Sequence, residues 1–214
     1  MSIYFNVLVG TMSSGKTTFA RRFWPQGAAA HHIMDERCPG AVEGTSPRDA
    51  VRRRAAEAWG GLRGAVSAWL ASGNPPCFVA DGLFMSRQAR QAVLDLAPAS
   101  EDVVRIGWFL DTPMQTVIKR FRGRVDAGEF RSVPKEVLMK QCLCFEMPSP
   151  EEQFDMWVRV PLEDQDPPRQ CGGDPLRLMA DRLMFADGSG MPRCDFLDEA
   201  AKVMSYRFRD MEAR

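Results

Sequence analysis

Residues 10–18 contain the feature that most limits the folds open to this chain. They read Gly-Thr-Met-Ser-Ser-Gly-Lys-Thr-Thr and match the pattern G-x-x-x-x-G-K-[ST] in full. An apolar run over residues 3–9 precedes the pattern, and a helix-compatible segment over residues 17–24 follows it. In that setting, consecutive backbone N–H groups and the positive end of the helix attract phosphate. The pattern therefore predicts binding of a nucleoside triphosphate.

The individual positions of this loop predict separate contacts with the triphosphate. Gly10 and Gly15 permit backbone torsions that are closed to other residues. Lys16 is predicted to bridge the β- and γ-phosphates, and the Thr17 hydroxyl is predicted to bind Mg²⁺. The predicted nucleotide-binding residues of the loop are Gly10, Ser13, Ser14, Gly15, Lys16, Thr17 and Thr18. ATP and Mg²⁺ are therefore the expected ligands.

Composition argues against several other classes of protein. In a chain of 214 residues, Lys plus Arg number 28 and Asp plus Glu number 28, so no overall positive field indicates nucleic acid. Six cysteines without a C-x-x-C pair and two histidines argue against a zinc site. No apolar stretch approaches the length of a membrane span, and the first apolar run lacks the basic start of a signal peptide. These features predict a cytoplasmic protein with free thiols.

Apolar runs alternate with helix-compatible segments along residues 1–162. Five predicted strands lie near residues 3–9, 31–34, 77–80, 103–110 and 156–160. Strands separated by helices favour an α/β fold with a doubly wound, mainly parallel five-stranded sheet. Ligands of such a sheet bind beyond the carboxyl ends of its strands. Those ends are therefore where further site residues are expected.

Capping patterns predict where helices begin. A serine followed by proline starts a predicted helix over residues 46–72, and three glycines weaken its middle enough to allow a break. Thr112 and Gln115 form a capping-box pattern with proline between them, and Ser149 and Glu152 form another. The first pair predicts the start of a helix, and the second precedes the predicted fifth strand.

Asp35 follows the predicted second strand and is the candidate general base. A carboxylate there can reach the γ-phosphate and accept the proton of an acceptor hydroxyl, with a turn or capping aspartate as the alternative. Arg37 is predicted to hold an anionic part of the acceptor, or else to be a solvated surface arginine. Asp81 is predicted to bind Mg²⁺ and contact the acceptor, or else to be a turn residue before Gly82. Arg87 is also predicted to contact the acceptor.

An arginine-rich segment over residues 120–132 is the predicted lid. Arg120 and Arg124 lie one helical turn apart and are predicted to neutralise the phosphoryl group during transfer, as arginine fingers do. Gly123 and Gly128 would act as hinges of this segment. A solvated basic helix end, favoured by the helix dipole, is the alternative.

Residues 163–214 differ in character and are predicted to form a mostly helical C-terminal extension that packs on the core. Apolar residues recur at helical spacing between Phe196 and Phe208, which predicts an apolar face that must be buried. Basic residues nearby favour a role in holding a nucleic-acid acceptor. A helix that only covers core surface is an equal alternative.

Together these features resemble the 5′-hydroxyl polynucleotide kinases over residues 1–162. The phosphate loop, Asp35, the strand ending at Asp81 and the arginine segment carry the resemblance. Residues 145–154 carry it further, since Phe-Glu-Met-Pro-Ser-Pro-Glu-Glu-Gln-Phe is similar to the F-E-x-P-T-x-x-E-G-F stretch of that family. The resemblance implies a P-loop kinase domain in which Asp35 is the general base and Arg124 is the lid arginine.

Three features depart from that family, one of which is that residues 165–214 match neither a phosphatase nor a ligase partner domain. The chain has Asp-Gly-Leu-Phe at residues 81–84 where the family commonly has D-N-T-N, and Arg37 lies two residues after the base rather than three. The family also includes phage kinases that phosphorylate the hydroxymethyl group of modified uracil in DNA. The resemblance implies transfer of the γ-phosphate of ATP to a hydroxyl of DNA, RNA or a nucleoside, in the host cytoplasm if a phage encodes the chain. The alternatives are a small-metabolite kinase, a non-catalytic nucleotide-dependent interaction module and a water-using triphosphatase.

Overall fold

Strands and helices alternate throughout the part of the chain that the structure describes. This computed structural model describes residues 3–24, 27–34, 47–100, 102–128 and 135–162. The elements within those ranges are β1 (Ile3–Val9), α1 (Lys16–Phe23), β2 (Ala30–Ile33), α2 (Pro47–Ser72), β3 (Cys77–Asp81), α3 (Arg87–Leu94), β4 (Val103–Asp111), α4 (Met114–Asp126), α5 (Lys135–Leu143) and β5 (Met156–Pro161).

These five strands form one parallel sheet in the order β2-β3-β1-β4-β5. The order reverses at β1, because the chain builds β2 and β3 on one side of it and then β4 and β5 on the other. Leu8 of β1 lies beside Asp81 of β3 and Trp108 of β4. The loop after β1 therefore leaves the sheet at its switch point, where ligands of such folds bind. The predicted α/β fold with a doubly wound parallel sheet is confirmed.

Alternate residues of the central strand enter two separate apolar clusters. On one face of the sheet, Phe5 and Val7 share a cluster with Leu62 of α2. On the other face, Leu8 shares a cluster with Phe19 of α1. Burial on both faces explains why the central strands read as nearly continuous apolar runs in the sequence.

Helix α2 runs from Pro47 to Ser72, so the predicted helix to Ser72 is confirmed and the break that its glycines allowed does not occur. The three glycines lie on the exposed side of the helix, whereas Leu62, Val66 and Trp69 are buried against the sheet. Each glycine costs about 1 kcal/mol relative to alanine. Burial of each large apolar side chain contributes about 1.5–3 kcal/mol, which offsets that cost.

Helix α4 begins where the sequence predicts it and runs on through the first of the two predicted hinge glycines. Its first residue is Met114 and its cap residue is Pro113. The Thr112 hydroxyl, just before the helix, donates a hydrogen bond of 2.8 Å to the carbonyl oxygen of Ser14. Gly123 lies within the helix rather than at a hinge, while Gly128 lies just beyond the helix with a φ of 81°.

Parts of the predicted organisation lie outside the described residues. They include the helical extension over residues 163–214 and the end of the lid, from residue 129 to residue 132. The division into a kinase domain over residues 1–162 and an extension therefore stays a prediction. Within the part of the chain that the structure describes, no helix combines the length and apolar character needed to cross a bilayer.

Candidate active site

The loop between β1 and α1 has the backbone geometry of a phosphate cradle. Gly15 precedes the first residue of α1 with a φ of 104°, and Ser13 adopts a left-handed conformation with a φ of 63°. Such turns direct successive backbone N–H groups toward one point, which makes an anion-binding concavity. The N-terminus of α1 adds its partial positive charge to the same place.

Two features of the loop side chains fit a bound phosphate. A Cβ on Gly10 would lie 2.7 Å from the Ser14 hydroxyl oxygen, so this close approach requires glycine. The hydroxyls of Ser13 and Ser14 are buried and lack a hydrogen-bond partner within the described residues. Buried hydroxyls without partners are costly, and phosphate oxygens would accept hydrogen bonds from both. Thr18, the last predicted nucleotide-binding residue, is exposed on α1.

Lys16 is buried, and its ammonium group is held by the loop itself. Its Nζ donates hydrogen bonds of 2.9 Å to the carbonyl oxygen of Gly10 and 2.8 Å to that of Thr11. The side chain is therefore directed back over the loop that would surround the phosphates. Phosphate oxygens carry more charge than these carbonyls and can replace them as acceptors for Nζ.

The carbonyl oxygen of Ser14 joins the loop to α4. Arg120 Nη1 donates a hydrogen bond of 2.8 Å to it, in addition to the bond from Thr112. Partial burial lowers the pKa of Arg120 from its usual value. Arg124 follows one helical turn later on the same helix and is partly buried. Of the two predicted lid arginines, Arg120 therefore contacts the backbone of the phosphate loop directly.

Asp81 and Thr17 form the part of the site that fits a metal ion. The Thr17 hydroxyl donates a hydrogen bond of 2.5 Å to Asp81 Oδ2, and Asp81 is only 3% exposed. A hydroxyl and a carboxylate this close supply the oxygen ligands that Mg²⁺ prefers, so these residues fit Mg²⁺. The bond to Thr17 concerns the predicted role of Asp81 as a Mg²⁺ ligand, and its predicted contact with an acceptor stays a prediction.

His31 reaches the same carboxylate from the neighbouring strand, and sequence reasoning missed it. Its Nε2 lies 3.4 Å from Asp81 Oδ2. The contact depends on β2 lying beside β3 in parallel register, with Ile33 opposite Asp81. The sequence gives the two strands but not their adjacency, so it contains no direct signal for this pair.

Asp111 and Arg159 form an ion pair that the sequence did not indicate, with the carboxylate buried and the guanidinium partly exposed. Asp111 ends β4 and is 1% exposed, while Arg159 lies on the neighbouring β5. Arg159 Nε donates a hydrogen bond of 2.7 Å to Asp111 Oδ2, and Nη2 lies 2.6 Å from the same oxygen. The pair fixes the carboxyl end of β4 immediately before Thr112, which holds the phosphate loop.

Residues 145–154, which carry the most specific part of the family resemblance, enclose a buried arginine. Arg90 of α3 is fully buried and makes two bonds with Glu152, Nε to Oε2 at 2.5 Å and Nη2 to Oε1 at 2.8 Å. Its guanidinium also donates to three carbonyl oxygens, those of Phe84, Glu146 and Met147. We call this group of contacts the Arg90 clamp. It ties the loop after β3 to the segment before β5.

The clamp also explains why Ser149 and Glu152 satisfy a capping pattern without starting a helix. Glu152 Oε1 accepts a hydrogen bond of 2.9 Å from the backbone N–H of Ser149, as in a capping box. No helix follows, because the chain passes through a turn into β5. The predicted capping-box contact is therefore present, and the same carboxylate is also held by Arg90 in the core.

Glu152→Gln is expected to lower the free energy of unfolding by about 2 kcal/mol, because hydrogen bonds to charged groups contribute about 1.5–3 kcal/mol. Urea denaturation of the two proteins would measure the difference. Glu151→Gln is the matched control, since Glu151 forms an exposed ion pair of 3.2 Å with Arg87 and such pairs contribute little. Equal losses in the two variants would contradict a special role for the buried pair.

The structure describes only some of the predicted acceptor-binding residues. Arg87 is the first residue of α3, and its backbone N–H donates a hydrogen bond of 2.7 Å to Glu146 Oε2. Its side chain is paired with Glu151. Asp35 and Arg37 lie outside the described residues. Met34, directly before them, donates its backbone N–H to the carbonyl oxygen of Asp81 at 2.8 Å. The acceptor roles of these residues remain predictions.

Comparisons with known proteins agree with this architecture. A family model described as AAA domain matches residues 6–148, which is more than half of the chain. No curated protein matches the sequence. Among solved structures, a putative kinase from Chloroflexus aurantiacus J-10-fl is 17% identical with a TM-score of 0.55, covering 82% of this chain and 92% of that one. A sugar kinase from Janibacter sp. HTCC2649 is 15% identical with a TM-score of 0.54, covering 85% of this chain and 96% of that one.

A third solved structure, a fungal RNA kinase, is 14% identical with a TM-score of 0.47, covering 75% of this chain and 74% of that one. The likeness to the Chloroflexus and Janibacter structures, both below 25% identity, shows the fold alone.

Proposed function

The chain belongs to the AAA domain family, and on that premise we propose that it is an ATP-dependent kinase acting on a hydroxyl group of a nucleic acid or a nucleoside. The observation that carries the proposal is the hydrogen bond of 2.5 Å between Thr17, which ends the phosphate-loop pattern, and Asp81. It brings together the hydroxyl and carboxylate that a magnesium-dependent nucleotide site requires. The buried hydroxyls of Ser13 and Ser14 support a triphosphate as the occupant of the loop.

Each residue of the site then has a defined task. The loop N–H groups and Lys16 bind the phosphates of ATP. Thr17 and Asp81 would hold Mg²⁺, which supplies positive charge next to the phosphates when it is bound. Arg120 steadies the loop through the Ser14 carbonyl oxygen, and Arg124 is proposed to neutralise the phosphoryl oxygens during transfer.

The proposed reaction is a direct transfer with Asp35 as general base. The acceptor oxygen forms a bond to the γ-phosphorus while the bond from that phosphorus to the bridging oxygen of ADP breaks. The proton of the acceptor hydroxyl passes to the Asp35 carboxylate. The hydrogen bond from Met34 to the Asp81 backbone supports this assignment, because it fixes the chain beside the metal-binding carboxylate one residue before Asp35.

Two observations bear on the acceptor and favour different answers. The similarity of residues 145–154 to the polynucleotide kinases favours nucleic acid, and Arg90 bonds both that stretch and the loop after Asp81. The net charge of zero favours a small metabolite, because a protein that binds long nucleic acid usually presents an excess of positive charge. A small-metabolite kinase is therefore the second candidate.

Incubation with γ-labelled ATP and a panel of acceptors would distinguish the two candidates. The panel contains 5′-hydroxyl DNA and RNA oligonucleotides, hydroxymethyluracil-containing DNA, nucleosides and a metabolite mixture that includes sugars. We expect label in an oligonucleotide or a nucleoside, with the Lys16→Ala variant as the negative control. Label only in small metabolites would contradict a nucleic-acid acceptor. Release of free phosphate alone, unchanged by any acceptor, would indicate a triphosphatase instead.

A further inference from the structure

We propose that His31 positions the Asp81 carboxylate for binding Mg²⁺, which gives this histidine a role in the same site. The inference rests on the proposed function, because it requires Asp81 to be a magnesium ligand. Its basis is the distance of 3.4 Å between His31 Nε2 and Asp81 Oδ2, the oxygen that also accepts the Thr17 hydroxyl.

The surroundings of His31 leave its ring nitrogen directed at one carboxylate. Nε2 is buried and has no hydrogen-bond partner within the part of the chain that the structure describes. A buried N–H without a partner costs free energy, so the ring gains stability by approaching an acceptor. A hydrogen bond between nitrogen and oxygen spans about 2.7–3.2 Å, so closing the distance to Asp81 requires only a small shift.

Two elements, strand β2 and helix α1, approach the Asp81 carboxylate. His31 lies on β2 and Asp81 on β3, and the parallel register brings their side chains together at the carboxyl edge. Thr17 reaches the same carboxylate from the first turn of α1. A carboxylate held by two neighbouring elements has less orientational freedom than one held by a single bond. Partners of this kind typically strengthen metal binding by about 10–100-fold.

The adjacent His32 offers a matched control within the same strand. Its ring lies on the α2 side, 3.6 Å from the position that a Cβ on Gly61 would occupy. It is the same residue type with similar exposure, but it lies opposite Ala80, so its side chain is on the other face of the sheet from Asp81. Changes at His31 and His32 therefore disturb the strand to a similar degree and separate packing from the contact with the carboxylate.

The test measures binding of a non-hydrolysable ATP analogue by calorimetry at increasing Mg²⁺ concentrations and one fixed pH. His31→Leu removes the donor and is expected to raise the Mg²⁺ concentration for half-maximal enhancement of binding by about 10–100-fold. His31→Gln keeps an N–H donor and should recover much of the loss. His32→Leu should resemble the wild type, and affinity without Mg²⁺ should be the same in every variant.

Each outcome decides between distinct possibilities. A wild-type Mg²⁺ dependence in His31→Leu would overturn the positioning role and leave the proposed kinase intact. Analogue binding by the wild type that is indifferent to Mg²⁺ would overturn the proposed function together with the inference. If His31→Leu does not fold, His31→Asn takes its place, because its shorter amide does not reach Asp81. The same shift is expected from it, and its absence would again overturn the role.

Discussion

Asp35→Ala is expected to reduce turnover by about two to four orders of magnitude, the usual effect of losing a general base. ATP affinity should remain nearly unchanged, because Asp35 is proposed to act on the acceptor hydroxyl rather than on the nucleotide. Lys16→Ala should behave differently and weaken both binding and turnover, since its charge serves the phosphates before and during transfer. Single-turnover kinetics with the true acceptor, alongside calorimetric ATP titrations, would measure both quantities.

The neighbouring carboxylate Glu36 supplies the control for this experiment. Glu36→Ala removes the same charge one residue away and should leave turnover within a small factor of the wild type. Near-normal turnover in Asp35→Ala would show that the base lies elsewhere, and Asp81 would then be the next candidate. In that event its contact with Thr17 would need a second explanation.

Arg124→Ala is expected to reduce turnover by about three orders of magnitude if the residue behaves as an arginine finger. Arg124 lies in the last turn of α4, one turn beyond Arg120, whose guanidinium is already bonded to the phosphate loop. Charge brought to the phosphoryl oxygens during transfer lowers the barrier without strengthening the ground state. Turnover should therefore fall much more than ATP affinity, which the same two measurements would reveal.

Arg122→Ala is the matched control on the same helix. Arg122 is exposed and lines an apolar pocket with Leu138 and Met139 of α5, away from the phosphate loop. Its loss removes an equal charge and should change turnover little. A similar loss of ATP binding and turnover in Arg124→Ala would make that arginine a clamp on the bound nucleotide rather than a stabiliser of the transition state.

The sequence predicted the fold well because the relevant signals are local. The G-x-x-x-x-G-K-[ST] loop, its strand and its helix occupy consecutive residues, and apolar runs mark the strands that are buried on both faces. The parallel, doubly wound sheet then follows from the alternation of strands and helices. Asp81 could be singled out for the same reason, since it ends an apolar strand whose carboxyl end must lie near the loop.

Pairings between distant residues could not be read in this way. His31 with Asp81 and Arg159 with Asp111 both depend on which strands are neighbours, and no local pattern encodes that order. The bond from the Thr112 hydroxyl to the carbonyl oxygen of Ser14 joins residues that are far apart in the chain. The local pattern at Thr112 predicted a helix start and gave no indication of this tertiary contact.

The carbonyl oxygen of Ser14 accepts hydrogen bonds from both Thr112 and Arg120, so the phosphate loop and α4 are thermodynamically linked. A bond from a charged donor such as Arg120 contributes about 1.5–3 kcal/mol, and it is lost whenever the helix moves away from the loop. A ligand that binds one arrangement of this bond more tightly shifts the population toward that arrangement. By reciprocity, an acceptor that draws α4 to a new position alters the affinity for ATP by the same factor as ATP alters the affinity for that acceptor.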